Sequence, residues 1–363
     1  MTAGPKFLFV PVSGPGGAGE YYRSLAVARA AERRWPGCEI RFILSRDAGH
    51  AGECPYPVVH VARSPTYETR EVEAILERER PDVVVFDSAG RAAQYRRAKQ
   101  LGASVVFVSS RATTRSKGFR LRRMRSIDQH WIVAPRFAAG GLSGIERMRM
   151  RVAPHCEIVF LDVLYEPVDE AGTAELQRSL GVEPGTYVLA CPGGGGVFGG
   201  GPDAAQVFFD ASMQLAGESG LAVVAVLGPR FTPPQSPPPG VHVLASLPNT
   251  QLMGMLRDAR VGVVNGGSLL LQAIALGAPC VAAPISEDQP ARIAACAGQG
   301  LVRPAALQAA SLVQQATALL AGDERESLRQ NLDALALSNG LDLAIDALAR
   351  MLARRARGPG QPA

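Results

Sequence analysis

Residues 261–289 read VGVVNGGSLLLQAIALGAPCVAAPISEDQ, and this stretch decides the fold. A buried-strand pattern ends at Asn265, a Gly-Gly turn leads into a short apolar helix that Ser268 is expected to cap, and a second apolar strand follows Pro279. That strand delivers the polar run SEDQ at 286–289. Polar groups at the carboxyl ends of neighbouring parallel strands converge, so the stretch predicts either a ligand site or a plain βαβ unit with a polar loop.

The rest of the chain repeats this alternation of short apolar strands and helices. Strands are predicted at 7–12, 39–44, 58–61, 81–87, 104–109, 127–134 and 157–161, and then at 187–190, 221–227, 241–244, 261–264 and 280–283. Such a series is typical of parallel sheets. It predicts two Rossmann-like, doubly wound α/β domains that face a cleft, at 1–165 and 166–340, followed by a helix and basic tail at 341–363.

The composition favours a parallel α/β protein. The 363 residues are 47% hydrophobic and only 6% aromatic, which suits buried strands of Val, Leu and Ala. No apolar run approaches the roughly 18 residues of a membrane span, and the first residues resemble a strand more than a signal peptide. The six cysteines and five histidines show no metal-ligand spacing, so no metal or cofactor is expected. The expected location is cytoplasmic, either free or peripheral at the inner face of the membrane.

A glycine-rich loop at 14–19, which includes Gly17, separates the first strand from the first helix. Glycines there let backbone amides approach a ligand, although a turn without ligand contact fits equally well. Glu20 follows directly. A carboxylate in the first turn of a helix is favoured by the helix dipole alone, and it is also a candidate general base.

A second glycine-rich loop, GGGGVFGGG at 193–201, follows a predicted strand of the second half. It can approach a diphosphate closely or serve as a flexible loop that closes on substrate. The candidate contacts to such a ligand are Gly194, Gly195 and Gly196.

Net charge is +5, and the excess is concentrated in two clusters. The segment 111–125, RATTRSKGFRLRRMR, carries seven cations and no acid, and the tail 350–357 reads RMLARRAR. Such clusters bind anions. The first follows a strand, so Arg111 and Arg115 are candidates to hold an anionic or lipid-linked acceptor, or to lie on a membrane surface; a solvated basic loop is the alternative. Phe119 is the one aromatic residue there, which argues against nucleic acid.

A resemblance now becomes visible. The stretch 265–294, NGGSLLLQAIALGAPCVAAPISEDQPARIA, resembles the donor-binding segment of GT-B glycosyltransferases, including the peptidoglycan N-acetylglucosaminyltransferase and the UDP-glycosyltransferases. The resemblance implies a two-domain GT-B fold and a nucleotide-sugar donor. It assigns the diphosphate to Gly267, Ser268 and Leu269, and the sugar to Asp288 and Gln289. The ribose position holds Gln272, where those families often have an acidic residue, so the nucleotide base stays open.

The N-terminal loop carries the same resemblance. GGAGEYYRSLAVA at 16–28 is similar to the loop and following helix of the peptidoglycan enzyme and, as far as Arg23, of UDP-sugar hydrolases from pseudaminic acid synthesis. Both families have His where this chain has Glu20. The resemblance therefore implies that glutamate replaces histidine as the base, with Gly17 and Arg23 on the acceptor side.

The expected function is transfer of a sugar from a UDP- or dTDP-linked donor to an unidentified acceptor, with inversion and without metal. A nucleotide-sugar hydrolase or epimerase on the same fold is the second hypothesis. A non-catalytic binding protein of that fold is the third.

Overall fold

The computed structural model of the chain describes residues 4–14, 18–48, 51–193, 203–233, 237–335 and 337–357. The chain divides into two compact units. Met1–Leu164 and Asn339–Ala363 form the first unit, and Tyr165–Ser338 form the second. The chain therefore returns to the first unit after completing the second.

The first unit is built on a parallel sheet in which seven strands are described. They are Lys6–Pro11 (β1), Glu39–Ser45 (β2), Val58–Val61 (β3), Val83–Asp87 (β4), Ser104–Ser109 (β5), Gln129–Val133 (β6) and Glu157–Leu161 (β7). Their order across the sheet is β3-β2-β1-β4-β5-β6-β7. Both faces are covered, which explains why β4 is buried along its whole length. Because side chains alternate along a strand, Phe7 and Phe9 pack in one core and Leu8 and Val10 in the other.

Helices connect these strands and cover the sheet. They are Gly19–Arg34 (α1), Thr69–Glu79 (α2), Ala92–Gln100 (α3), Ala112–Gly118 (α4), Leu121–Met124 (α5), Arg136–Ala139 (α6) and Gly144–Val152 (α7). A 3₁₀ turn spans Ala51–Glu53.

The second unit repeats the plan with a parallel sheet in which six strands are described. They are Tyr187–Cys191 (β8), Ala222–Val226 (β9), Val241–Leu244 (β10), Val261–Asn265 (β11), Cys280–Ala283 (β12) and Arg303–Pro304 (β13). Their order is β10-β9-β8-β11-β12-β13. The helices of this unit are Glu170–Leu180 (α8), Ala204–Ser219 (α9), Asn249–Asp258 (α10), Ser268–Ala275 (α11), Gln289–Ala297 (α12), Ala309–Leu320 (α13) and Asp323–Leu335 (α14). The predicted two-domain, doubly wound α/β fold is confirmed.

The last helix, Leu341–Arg357 (α15), packs against the first sheet. Ala344, Leu348 and Met351 are buried in the same core as Phe7 and Phe9. Its predicted basic tail is held by acids of the same unit, with Arg350 bound to Glu157 at 2.9 Å and Arg355 to Asp82 at 2.9 Å. These ion pairs hold the basic tail against the first unit.

The starts of α8 and α11 differ in their capping. Asp169 caps α8, because its side chain accepts a hydrogen bond from the Gly172 amide. At α11 the prediction that Ser268 is the cap is wrong, since the capping position is Gly267 and Ser268 is already the first helical residue. No side chain caps α11, which leaves the start of that helix open.

Candidate functional site

Both sheets reverse their strand order at one place. The first reverses between β1 and β4, and the second between β8 and β11. In doubly wound sheets, ligands bind in the crevice outside the carboxyl ends of the strands at such a switch point. Asp87 ends β4 and Asn265 ends β11, so each unit presents polar residues at its own switch point.

In the second unit, Asn265 ties the two strands of the switch point together. Its buried side chain donates from Nδ2 to the Pro192 carbonyl at 2.6 Å and accepts the Gly267 amide at Oδ1, also at 2.6 Å. A Cβ atom on Gly193 would lie 2.2 Å from Asn265 Nδ2, and Gly193 has a φ of +88°. Glycine is therefore required where the chain leaves β8.

The Gly-Gly turn after β11 packs tightly against α12. A Cβ atom on Gly266 would lie 2.6 Å from Ile293, and one on Gly267 would lie 2.5 Å from Asn265 Oδ1. The same hypothetical Cβ of Gly267 lies 3.4 Å from Gln289 Nε2, so the structure brings Gln289 and Gly267 together as predicted partners. The Gln289 side chain is held in place because its Oε1 accepts the Ile285 amide at 2.8 Å.

A cation lies against this turn. Arg292 donates from Nη1 to the Gly266 carbonyl at 2.7 Å, and its Nη2 lies 3.4 Å from Asp288 Oδ2. Asp288 also accepts from the Ser286 hydroxyl at 2.9 Å and remains partly exposed. Arg292 therefore places positive charge beside the backbone where a diphosphate is expected.

The other predicted donor contacts lie at the start of α11. Ser268 is exposed at the first helical position, Leu269 is buried, and Gln272 lies one turn further along with 9% of its surface exposed. Residues four apart share a helix face, so Gln272 lies on the side of Ser268. Because no side chain caps this helix, its first amides and its dipole can favour an anion. The Gly267 amide is the exception, since Asn265 already occupies it.

In the first unit, a buried ion pair lies beneath the predicted base. Arg23 of α1 makes two hydrogen bonds to Asp87, of 2.7 Å from Nε and 2.5 Å from Nη2, and both residues are almost fully buried. Burial raises the pKa of Asp87 to about 6, the charge of Arg23 opposes the rise, and the nearby Glu20 adds to it. Arg23 therefore anchors the start of α1 to the end of β4.

Glu20 lies in the first turn of α1 with 12% of its side chain exposed. Arg111, which precedes α4, approaches it with Nη2 at 3.5 Å from Oε1. The two residues that the sequence assigned to base and acceptor side thus form one acid-cation pair beside the carboxyl ends of β1 and β5.

Arg115 lies elsewhere. Its guanidinium binds Glu146 of α7 with two hydrogen bonds of 2.8 Å, and it also donates to the carbonyls of Ala139, Gly140 and Gly141. Only 8% of its surface is exposed. The predicted acceptor contact therefore holds the segment between α6 and α7 in place.

A cavity of about 310 Å³ opens at the carboxyl ends of β1 and β2. It is lined by Ser13, Gly14, Ser45, Asp47, Arg63, Ser64 and Tyr67. Tyr67 is 60% exposed, and the guanidinium groups of Arg63 and Arg91 lie 6.0 and 5.7 Å from the centre of its ring.

Four predicted contacts, Gly17, Gly194, Gly195 and Gly196, lie outside the described residues. Within the described ranges, no cluster of three or more His, Cys, Asp or Glu side chains could hold a metal ion. Nor does any helix there combine the length and apolarity of a membrane crossing.

The chain was compared with known proteins. No family model matches it, and no curated protein matches it in sequence. Several solved structures match it in fold. The glycotransferase of kitacinnamycin is 16% identical, with a TM-score of 0.65 over 97% of this chain and 100% of that one. The spinosyn forosaminyltransferase SpnP is 14% identical, with a TM-score of 0.67 over 97% and 99%. The chain has the GT-B fold.

A third solved structure carries a description of a different activity. A Listeria monocytogenes protein described as a UDP-N-acetylglucosamine 2-epimerase is 12% identical, with a TM-score of 0.65 over 100% of this chain and 99% of that one. At these low sequence identities, the structural likeness establishes the fold alone.

Three residues of the candidate sites were not named as site residues from the sequence, namely Asp87, Asn265 and Arg292. Asp87 and Asn265 each end a buried strand, and that position alone is a signal for a site residue. Arg292 follows Asp288 by four residues, a spacing that could have indicated a pair on one helix face.

Proposed function

We propose that the chain transfers a sugar from a nucleoside-diphosphate sugar to an acceptor, with inversion at the anomeric carbon and without a metal ion. The observation that supports this most is the open start of α11 beside Arg292, whose guanidinium is held on the Gly266 carbonyl. Helix amides and an arginine together favour a diphosphate.

The donor roles follow from this placement. The amides of Ser268 and Leu269 bind the diphosphate, and Gly267 allows it to approach the backbone. Gln272 binds a ribose hydroxyl through its amide, while Asp288 and Gln289 bind the sugar. A UDP- or dTDP-linked donor is proposed. The partly exposed Asp288 can accept hydrogen bonds from sugar hydroxyls.

Catalysis is assigned to Glu20. Its carboxylate takes the proton of the acceptor hydroxyl as that oxygen bonds to the anomeric carbon, and the bond to the diphosphate breaks. Arg111 lies 3.5 Å from the Glu20 carboxylate, and Arg23 with Asp87 fixes the turn that carries it. The negative charge that develops on the leaving diphosphate is stabilised by the amides of α11 and by Arg292.

The acceptor is proposed to bind in the first unit. The cavity at β1 and β2 offers hydroxyl and carboxylate groups together with the exposed ring of Tyr67, a lining that suits a sugar or other polyol. An anionic or lipid-linked acceptor is supported by the exposed Arg111. Peripheral contact with the inner face of a membrane is supported by helix α7, where Ile145, Met148 and Val152 are each more than half exposed. No nucleic acid is proposed as a partner.

A second candidate is a sugar-nucleotide hydrolase or epimerase, which the epimerase among the neighbours favours. Product analysis separates the candidates. Purified protein is incubated with UDP-glucose, UDP-N-acetylglucosamine or a dTDP-hexose, with and without a panel of polyol and lipid-phosphate acceptors. Transfer predicts a product that appears only with acceptor. Stoichiometric free sugar without acceptor indicates hydrolysis, and an epimeric sugar nucleotide indicates epimerisation.

Failure of every sugar nucleotide and nucleoside diphosphate to raise the melting temperature would favour the third hypothesis, a non-catalytic protein of this fold.

A further inference from the structure

A second cavity, of about 450 Å³, lies at the amino ends of the strands of the second unit. Pro184 and Gly185 precede β8, Arg260 precedes β11 and Pro279 precedes β12, and all four line the cavity. The proposed donor site lies at the carboxyl ends of the same strands. A five-residue strand separates the two edges by roughly 16 Å. The cavity is therefore distinct from the donor site.

The charged residues of the lining are four arginines and two acids. They are Arg257, Arg260, Arg325 and Arg329, and Asp258 and Asp333. Arg257 is already bound to Glu170 at 2.6 Å and to Asp258 at 2.7 Å. Among the described residues, no such ion pair joins the other three arginines to an acid.

Arg325 is one of these three arginines. Its Nη1 is buried and has no hydrogen-bond partner among the described residues. Burial lowers the pKa of Arg325, the charges of Arg260 and Arg329 lower it further, and the charge of Glu326 opposes the shift. A buried donor without a partner is costly, and so is the mutual repulsion of like charges. An anion bound among these side chains would remove both costs.

We propose that this cavity binds a small phosphorylated anion, with Arg325 and Arg329 as its main ligands and Arg260 beside them. The planar fork of arginine matches phosphate oxygens, and several arginines around one group suit a dianion better than a single carboxylate. The cavity is larger than one phosphate, so the ligand class is a diphosphate or a phosphorylated small molecule. Such a site would let phosphorylated metabolites act on the second unit from the edge opposite the donor.

Calorimetric titration with inorganic pyrophosphate tests the proposal. Because a diphosphate would also enter the proposed donor site, every titration is made in the Arg292→Gln background, which removes the cation there. Arg325→Gln and Arg329→Gln are each added to that background. Arg178→Gln, an exposed arginine of the same unit on α8, is the matched control. Circular dichroism melts verify that each variant is folded, and the exposed Arg329 keeps the test valid if Arg325→Gln fails to fold.

The expected result is that the Arg292→Gln protein binds pyrophosphate, that Arg325→Gln or Arg329→Gln weakens this binding about tenfold or more, and that Arg178→Gln leaves it unchanged. The proposal is overturned if the Arg292→Gln protein shows no binding at millimolar pyrophosphate. It is equally overturned if the folded Arg329→Gln protein binds as tightly as its parent.

Discussion

Glu20 is the residue on which the proposed chemistry depends. It is largely buried in the first turn of α1, with Arg111 at 3.5 Å and the Arg23–Asp87 pair beneath it. Its type and position could be read from the sequence. Its surroundings could not, because Arg23 and Asp87 are 64 residues apart and meet only because β1 and β4 are neighbours in the sheet.

Replacing Glu20 with Gln keeps the shape of the side chain and removes the proton acceptor. We expect turnover to fall by about 10²- to 10⁴-fold, with donor affinity nearly unchanged. Initial rates and calorimetric donor titrations measure the two effects. Glu71→Gln, an exposed acid on α2, is the control and should retain full turnover. Wild-type turnover by the Glu20 variant would remove Glu20 from the mechanism.

The burial of His130 leads to a prediction about the pH dependence of stability. Its ring is fully buried, with Nε2 at 2.8 Å from the Ser109 hydroxyl, and burial lowers the pKa to about 3 from its ordinary 6.5. Below pH 6.5 His130 binds a proton in the unfolded chain but stays neutral in the folded chain. The free energy of unfolding should therefore fall with decreasing pH, by up to about 1.4 kcal/mol per pH unit from this group.

Urea unfolding of wild type and His130→Gln between pH 7 and pH 4 measures this slope. The variant should be less stable at pH 7 and should lose part of the pH dependence, whereas the exposed His155→Gln should keep the wild-type slope. Equal slopes in wild type and His130→Gln would show that His130 does not cause the acid sensitivity.

At the scale of elements, strands were predicted more reliably than short helices. β3, β5, β7, β10 and β12 begin and end where their apolar runs indicated, because both faces of a parallel sheet are covered and an apolar run therefore marks a strand. In the segment 111–152, the sequence predicted the strand that corresponds to β6 but none of the helices α4 to α7. These helices have between 4 and 9 residues and are rich in arginine, so each is too short for a sustained apolar periodicity.

Helix α7 is one of these missed elements, and it supports a prediction of its own. Ile145, Met148 and Val152 lie at helical spacing and are 60%, 57% and 60% exposed, while Arg147 and Arg151 are interleaved with them. An exposed apolar stripe beside cations suits an anionic lipid surface. The wild-type protein should sediment with phosphatidylglycerol vesicles and much less with phosphatidylcholine.

Replacing Ile145, Met148 and Val152 together with Ser should lower vesicle binding about tenfold or more, since each buried methylene contributes about 0.8 kcal/mol. Leu343→Ser is the control, because Leu343 is similarly exposed, at 53%, on a different helix. Equal sedimentation of the triple variant and wild type would contradict membrane contact through α7.

At the scale of the whole molecule, the two sheets share one plan, and each places its candidate site at its own switch point. The fold could be predicted because apolar strands and glycine turns recur along the entire chain. The return of α15 to the first unit could not, since it depends on which core the apolar face of that helix covers. The candidate donor turn was predicted by resemblance, but the contact of Arg292 with the Gly266 carbonyl could not be, since it depends on how α12 packs against that turn.

The proposed function requires that the second unit bind a nucleoside diphosphate at the start of α11. Calorimetric titration of UDP, dTDP and GDP into wild type, Arg292→Gln and Arg178→Gln tests it directly. We predict that wild type binds UDP or dTDP, that Arg292→Gln weakens this binding about tenfold or more, and that Arg178→Gln does not. Absence of binding to wild type, or equal affinity in the Arg292 variant, would contradict the claim.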